Sequence, residues 1–235
     1  MEKVVIGNAE LWHGDCREVL PNLSKTTAII SDPPYGIGYV RGPGGKGKHS
    51  WAKDGNRNIE AIVGDDQPFD PAHLLIFDRV ILFGADHFAQ RLPRGRWLAW
   101  DKLGGKESWD SYSDVEFAWM NKPGAARIFR MMWKGLCQGA GKDKGTRRTH
   151  PTQKPVDLME WCIEQAGRPA VVCDPYMGTG ATGVAAINLG IRFVGIEIHR
   201  PYFDIACERI ENAQRQGKLL PQETPCKREQ MGIDL

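Results

Sequence analysis

Ala170-Val171-Val172-Cys173-Asp174-Pro175-Tyr176-Met177-Gly178-Thr179-Gly180-Ala181-Thr182-Gly183 is the stretch on which the fold turns. Its apolar start, Ala170–Cys173, reads as a strand, and Thr179–Leu189 reads as a helix. Gly178-x-Gly180-x-x-Gly183 thus follows a strand and opens a helix, the setting in which glycines let backbone amides approach a ligand. The following strand, Phe193–Ile196, ends at Glu197, where a carboxylate can accept hydrogen bonds from ribose hydroxyls. An adenosine-bearing ligand fits both features, and they do not separate a nicotinamide dinucleotide from S-adenosyl-L-methionine.

The same alternation continues on both sides. Ala9–His13, Thr26–Ile30, Arg79–Phe83, Trp97–Trp100, Val115–Met120 and Arg127–Trp133 read as strands. Cys16–Leu23, Leu74–Phe77, Val156–Ala166 and Pro201–Ala213 read as helices, with Pro155 suited to a first turn. The pattern predicts an α/β fold with a mainly parallel sheet covered by helices on both faces, and an antiparallel excursion within Trp97–Trp133. Ligands of such sheets sit at the carboxyl ends of strands. Asp32-Pro33-Pro34-Tyr35, the Asp174–Gly180 loop and Glu197 all fall at such ends. Residues 1–213 read as a single catalytic domain and 214–235 as a polar tail.

Composition narrows the classes. The chain has 235 residues, 41% hydrophobic, enough for one sizeable core. No apolar run reaches the ~18 residues of a membrane span, and the N-terminus lacks the pattern of a signal peptide. The formal net charge of +2 neither requires nor forbids nucleic acid, so the placement of the charges matters more. Cys16, Cys137, Cys162, Cys173, Cys207 and Cys226 form no C-x-x-C pair; neither zinc nor a disulfide framework is expected, and a reducing cytoplasm is. Pro225-Cys226 lies in the polar tail and reads as a chance pair.

Asp32-Pro33-Pro34-Tyr35 carries the chemistry. Two prolines stiffen the backbone and remove two amide donors. The Asp32 carboxylate and the Pro33 carbonyl are left as acceptors beside the Tyr35 ring. That corner suits a planar ligand bearing an amino group. Holding both amine hydrogens would draw nitrogen toward a pyramidal shape and free its lone pair for attack. Catalysis must then supply in-line positioning and stabilise the developing ammonium. A duplex base reaches such a corner only when flipped out. Asp174 beside the glycine loop suits an ammonium or sulfonium ligand and would repel a pyrophosphate. The loop also comes late in the chain, whereas a dinucleotide domain usually begins with it. S-adenosyl-L-methionine therefore fits better than a nicotinamide cofactor, and an oxidoreductase would leave Asp32–Tyr35 without a role.

With His150-Pro151-Thr152-Gln153-Lys154-Pro155 between these two motifs, the chain resembles the amino-group DNA methyltransferases of the β circular arrangement, in which the catalytic motif precedes the cofactor motif. The resemblance spans about Leu11 to Arg209. It implies a Rossmann-like S-adenosylmethionine-dependent methyltransferase fold, with a mostly parallel seven-stranded sheet and one antiparallel strand. It implies that Asp32, Pro33, Pro34 and Tyr35 hold the target base. Asp174, Pro175 and the Gly178-Thr179-Gly180 loop would contact the methionine part of the cofactor, helped by Thr152 and Lys154. Glu197 would meet the ribose, and Asp15 and Cys16 the adenine. The expected activity is transfer to N6 of adenine in double-stranded DNA, with cytosine N4 the closest alternative and RNA or a protein amide further off. Relatives of this compact kind are carried by phages or accompany restriction endonucleases, and they often form dimers. The family more often has Phe at position 176, Ser at 179 and Thr at 181, where this chain has Tyr176, Thr179 and Ala181.

Two inserted basic loops, residues 36–60 and 102–150, are the expected DNA contacts. Residues 36–60 carry Arg41, Lys46 and Lys48 directly after the catalytic corner. Residues 102–150 carry Lys142, Lys144, Arg147 and Arg148, where the family keeps its target-recognition region. Lysine and arginine would neutralise phosphates while a few side chains read base edges. The buried or sheet-packed role is expected for Trp97, Trp100, Trp119 and Trp161.

Overall fold

The computed structural model describes residues 1–37, 63–108, 113–134, 137–138, 141 and 153–219. In chain order its strands and α-helices are β1 (Glu2–Ile6), β2 (Ala9–His13), α1 (Cys16–Val19), β3 (Ala28–Ser31), β4 (Arg79–Phe83), β5 (Arg96–Asp101), β6 (Val115–Met120), β7 (Arg127–Arg130), β8 (Trp133–Lys134), β9 (Cys137–Gln138), α2 (Val156–Gln165), β10 (Val171–Asp174), α3 (Ala181–Asn188), β11 (Arg192–Glu197) and α4 (Arg200–Leu219).

Nine strands form the main sheet in the order β1-β2-β11-β10-β3-β4-β6-β5-β7. The run from β2 to β5 is the expected seven-stranded core, and within it only β6 is reversed. Two edge strands extend it: β1, antiparallel to β2, and β7, parallel to β5. The mostly parallel Rossmann-like sheet holds, and the antiparallel excursion falls inside Trp97–Trp133 as its pattern required.

Side-chain alternation divides the core between the two faces. Ile30, Ile81, Phe83, Val172 and Phe193 pack with α2, α3 and α4 on one face. Ile29, Val80, Leu82, Cys173, Val194 and Ile196 pack on the other with Cys16 and Val19 of α1 and with Phe69, Leu74, Phe77 and Phe88. Each fully buried aliphatic or aromatic side chain contributes roughly 1.5–3 kcal/mol, so this two-sided burial dominates the stability. Coverage is unequal: the three long helices share one face, whereas α1 and irregular chain cover the other. Gly183 marks how closely the helical layer packs, since a Cβ there would run into Ile210 of α4 and Phe193 of β11.

Several sequence expectations are corrected. Leu74–Phe77 forms turns instead of a helix. Leu74 and Leu75 both donate to the Pro71 carbonyl, and Asp78 is already hooked to Lys25 at the start of β4, leaving room for only one turn. Arg127–Trp133 breaks at Met131, which donates to Asp101 and redirects the chain. Residues 102–150 are not simply an insertion, because they contain β6, a central strand, and β7. α4 continues past Gln214 to Leu219. Among the described residues, no helix is long and apolar enough to cross a membrane.

Candidate active site

Four neighbouring parallel strands bring their carboxyl ends to one edge of the sheet. β2 delivers Gly14-Asp15-Cys16, β11 delivers Glu197, β10 delivers Asp174 and the glycine turn, and β3 delivers Asp32-Pro33-Pro34-Tyr35. The edges are stitched together, with the Gly14 amide donating to the Glu197 carbonyl and the Met177 amide to the Ile196 carbonyl, both at 3.0 Å. Ser31, the last residue of β3, donates its hydroxyl to Asp174 Oδ1 at 2.5 Å.

Asp174 is a buried anchor. Besides Ser31, it accepts from the Tyr176 amide at 3.2 Å and from the Thr182 hydroxyl at 2.6 Å. Burial pushes its carboxyl up to about 6, against the lowering effect of those donors. The carboxylate thus joins the Asp32–Tyr35 corner, the glycine turn and the start of α3. Pro175 follows it in the turn and is buried.

The glycine turn is held by Glu197. Its Oε2 accepts from the Gly178 amide at 2.8 Å and its Oε1 from the His199 amide at 2.7 Å. Burial raises its pKa, opposed by these amide donors. Gly178 and Gly180 have φ of 51° and 80°, left-handed values that favour glycine. A Cβ on Gly178 would meet nothing within 4 Å, so the turn presents an open cradle. Thr179 is buried, and Arg209 of α4 donates to its carbonyl at 2.7 Å and its hydroxyl at 3.1 Å.

Asp15 caps α1, accepting from the Arg17 amide at 2.9 Å, and is gripped by the Arg17 guanidinium at 2.6 Å. The Arg17 hydrogen bond lowers its pKa. Cys16 is buried, and burial raises its thiol pKa. Tyr176, where the family more often has Phe, uses its hydroxyl: His73 Nε2 lies 3.0 Å away.

At the Asp32–Tyr35 corner, both oxygens of Asp32 are engaged. Tyr35 donates its hydroxyl to Oδ1, and Lys154 donates to Oδ2, each at 2.5 Å. Pro33 is buried and Pro34 half-buried. Tyr35 stacks on His87 with ring centroids 5.0 Å apart. It also lies against Gly84, which has a φ of 62° and leaves no room for a side chain under the ring. Burial and the Asp32 charge raise the Tyr35 pKa well above the ordinary phenol value.

Lys154 is 7% exposed and sits between two carboxylates, Asp32 and, at 3.1 Å, Glu116 Oε2. Lys102 lies behind, 3.2 Å from Glu116 Oε1. Burial opposes the charge on Lys154, but Asp32, Glu116 and Tyr35 together outweigh it and hold its pKa well above the ordinary lysine value. Glu116 shows the converse balance: burial opposes its charge, and Lys154 and Lys102 keep its pKa low.

Asp15, Cys16, Asp32–Tyr35, Lys154, Asp174, Pro175, Gly178–Gly180 and Glu197 therefore share one edge or face each other across it. Thr152, Arg41, Lys46, Lys48, Lys142, Lys144, Arg147 and Arg148 lie outside the described residues. Sequence reasoning missed Glu116, Lys102, Gly84 and His87. Glu116 carried a signal: it shares a strand face with buried Ala118 and Met120, an odd place for a lone acid. Of the tryptophans, Trp100 and Trp119 are buried, Trp161 packs on Phe129, and Trp97 is exposed beside Phe117.

The DNA methylase family model for N6 and N4 enzymes matches residues 86–208. The chain is 40% identical over 206 residues to the type II methyltransferase M.HinfI of Haemophilus influenzae, a match covering 86% of this chain and 50% of that one. The chain thus spans half the length of that relative. Among solved structures, the PvuII DNA methyltransferase, described as cytosine-N4-specific, shares the fold with a TM-score of 0.54 at 14% identity, covering 90% of this chain and 93% of that one.

Proposed function

The chain belongs to the N6 and N4 DNA methylase family, and from that membership and the geometry of its site we propose that it transfers a methyl group from S-adenosyl-L-methionine to an exocyclic amino nitrogen in double-stranded DNA, N6 of adenine. The observation that carries this reading is the Ser31–Asp174 hydrogen bond of 2.5 Å, which ties the amine-holding corner to the glycine turn on the adjacent strand. One base and one cofactor seated on neighbouring strand ends can meet.

The residues present fit the cofactor. The space over Gly178 would admit its methionine end, and the Glu197 carboxylate would take a ribose hydroxyl on the lone pairs that the Gly178 and His199 amides leave free. Asp15 and Cys16 would lie at the adenine end. When bound, the cofactor supplies an electrophilic methyl on a sulfonium. The chain's own work is to hold the amine. Each Asp32 oxygen keeps a free lone pair beyond the bond from Tyr35 or Lys154. Asp32 and the Pro33 carbonyl then accept the two amine hydrogens, and their negative charge stabilises the ammonium as it develops. The Lys154 ammonium, 2.5 Å from Oδ2, fixes the Asp32 carboxylate for that task. Tyr35, clamped by His87 and Gly84, fixes the aromatic wall of the corner.

Residues 1–213 are read as the catalytic domain, with DNA contacts from Arg41, Lys46 and Lys48 and from Lys142, Lys144, Arg147 and Arg148. The test is incubation with labelled S-adenosylmethionine and unmethylated DNA, followed by nucleoside analysis. N6-methyladenine is expected. N4-methylcytosine would move the target to the other amine, and no labelled nucleoside would overturn the reading. Asp32→Asn is expected to abolish transfer while S-adenosylmethionine still binds.

A further inference from the structure

The catalytic carboxylate ends a line of alternating charges that crosses the sheet. Asp32 follows β3, Lys154 precedes α2, Glu116 lies on β6, and Lys102 follows β5. The separations along this line are 2.5, 3.1 and 3.2 Å. Behind Lys154 are the Phe83 ring of β4, 5.3 Å from the ammonium, and the buried Cys162 of α2. Tyr35 faces it across Asp32. The anions that face the ammonium are thus Asp32 and Glu116, with Lys102 competing for the second.

We infer that Glu116 is a positioning residue for the proposed methyl transfer, holding the Lys154 ammonium in the line that aims Asp32 at the reacting amine. The inference rests on the function proposed above. A buried ammonium facing a single carboxylate is poorly compensated and pulls on that carboxylate alone. Asp32 would then be drawn out of line with the reacting amine. Glu116 prevents this by giving Lys154 a second anion on the side away from the substrate. The reversed strand β6 has a specific task in this arrangement: it sets Glu116 on the face shared with Ala118 and Met120, toward α2.

The test compares wild type with Glu116→Gln, Glu116→Asp and Lys102→Met in single-turnover methyl transfer to unmethylated plasmid DNA. S-adenosylmethionine affinity and the NMR signal of the Lys154 ammonium at neutral pH are followed in parallel. Glu116→Gln is expected to slow transfer by up to about 100-fold, the loss when a catalytic group moves out of line. Its cofactor affinity should stay unchanged. Removing an anion changes the field at the ammonium, so the Lys154 signal should shift. Glu116→Asp should restore part of the rate. Lys102→Met should move the Lys154 signal the opposite way, because the competing cation is gone, and it serves as the test if Glu116→Gln does not fold. An unchanged rate in Glu116→Gln, or an unmoved Lys154 signal in either variant, overturns the inference. If wild type methylates no nucleoside, the function reading fails, while the lysine signal still decides whether Glu116 governs Lys154.

Discussion

Replacing Asp174 by Asn should make the protein more stable at neutral pH and equally stable in acid. The carboxyl ionises at about 6 in the folded chain against 3.8 for an ordinary aspartate, because burial penalises its charge. A raised folded pKa means that the native state binds the proton more tightly than the unfolded state does. The stability this group contributes is therefore complete below the unfolded value and is lost as pH rises through the folded value. A shift of about two units corresponds to about 3 kcal/mol over the whole window. Asn reproduces the neutral form. Its carbonyl can take the bonds from Ser31 and Tyr176, and its amide can donate to Thr182 once that hydroxyl rotates. The assay is urea unfolding of both proteins at steps from about pH 4 to about pH 8. Groups common to both cancel in the difference, which should be small at the acid end and approach about 3 kcal/mol in favour of Asn at the neutral end. A difference that is flat with pH, or that favours wild type at neutral pH, would refute the claim that an ionised, buried Asp174 destabilises the fold.

Three further outcomes follow from the geometry. Gly84→Ala places a methyl group in the Tyr35 ring at a left-handed φ, so the backbone term alone should cost about 1–2 kcal/mol, read as a lower urea midpoint. Transfer should fall with it while S-adenosylmethionine affinity holds; a fully active variant would show that the Tyr35 clamp is dispensable. Glu197→Gln replaces one acceptor by a donor facing the Gly178 or His199 amide, and cofactor affinity measured by calorimetry should drop roughly tenfold or more. Unchanged affinity would remove Glu197 from the cofactor site. Charge reversal at Arg147 and Arg148 should weaken DNA binding and reduce the slope of affinity against salt. Equal affinity and equal slope would take that segment off the DNA.

The fold was legible where burial is two-sided and period is short. Successive residues of runs such as Ile29-Ile30 and Val171-Val172-Cys173 alternate between the two core layers, so their composition announces central parallel strands. β1 was not legible: its residues Glu2, Lys3 and Val5 are exposed, and it is held by pairing with β2, which a one-dimensional pattern does not register. Leu74–Phe77 failed for a different reason. Both residues are buried at helical spacing, but Asp78 is fixed beside Lys25, and that tertiary tether limits the segment to turns.

The site divides along the same physical line. Motifs that depend on local backbone chemistry were readable: the prolines at 33 and 34, the glycines at 178 and 180, and acids at strand ends. Partnerships across the sheet were not. Lys154 stands 122 positions from Asp32; the resemblance assigned it to the methionine part of the cofactor, and the fold sets it 2.5 Å from Asp32. Ser31 and Asp174, 143 positions apart, likewise meet only because β3 and β10 are neighbours. These long-range polar pairs are buried, and a buried charge is tolerated only with a partner. The Lys154 ammonium is compensated by Asp32 and Glu116 together. That pairing makes Glu116 part of the same electrostatic unit as the Asp32–Tyr35 corner, although nothing adjacent to it in the chain belongs to a motif.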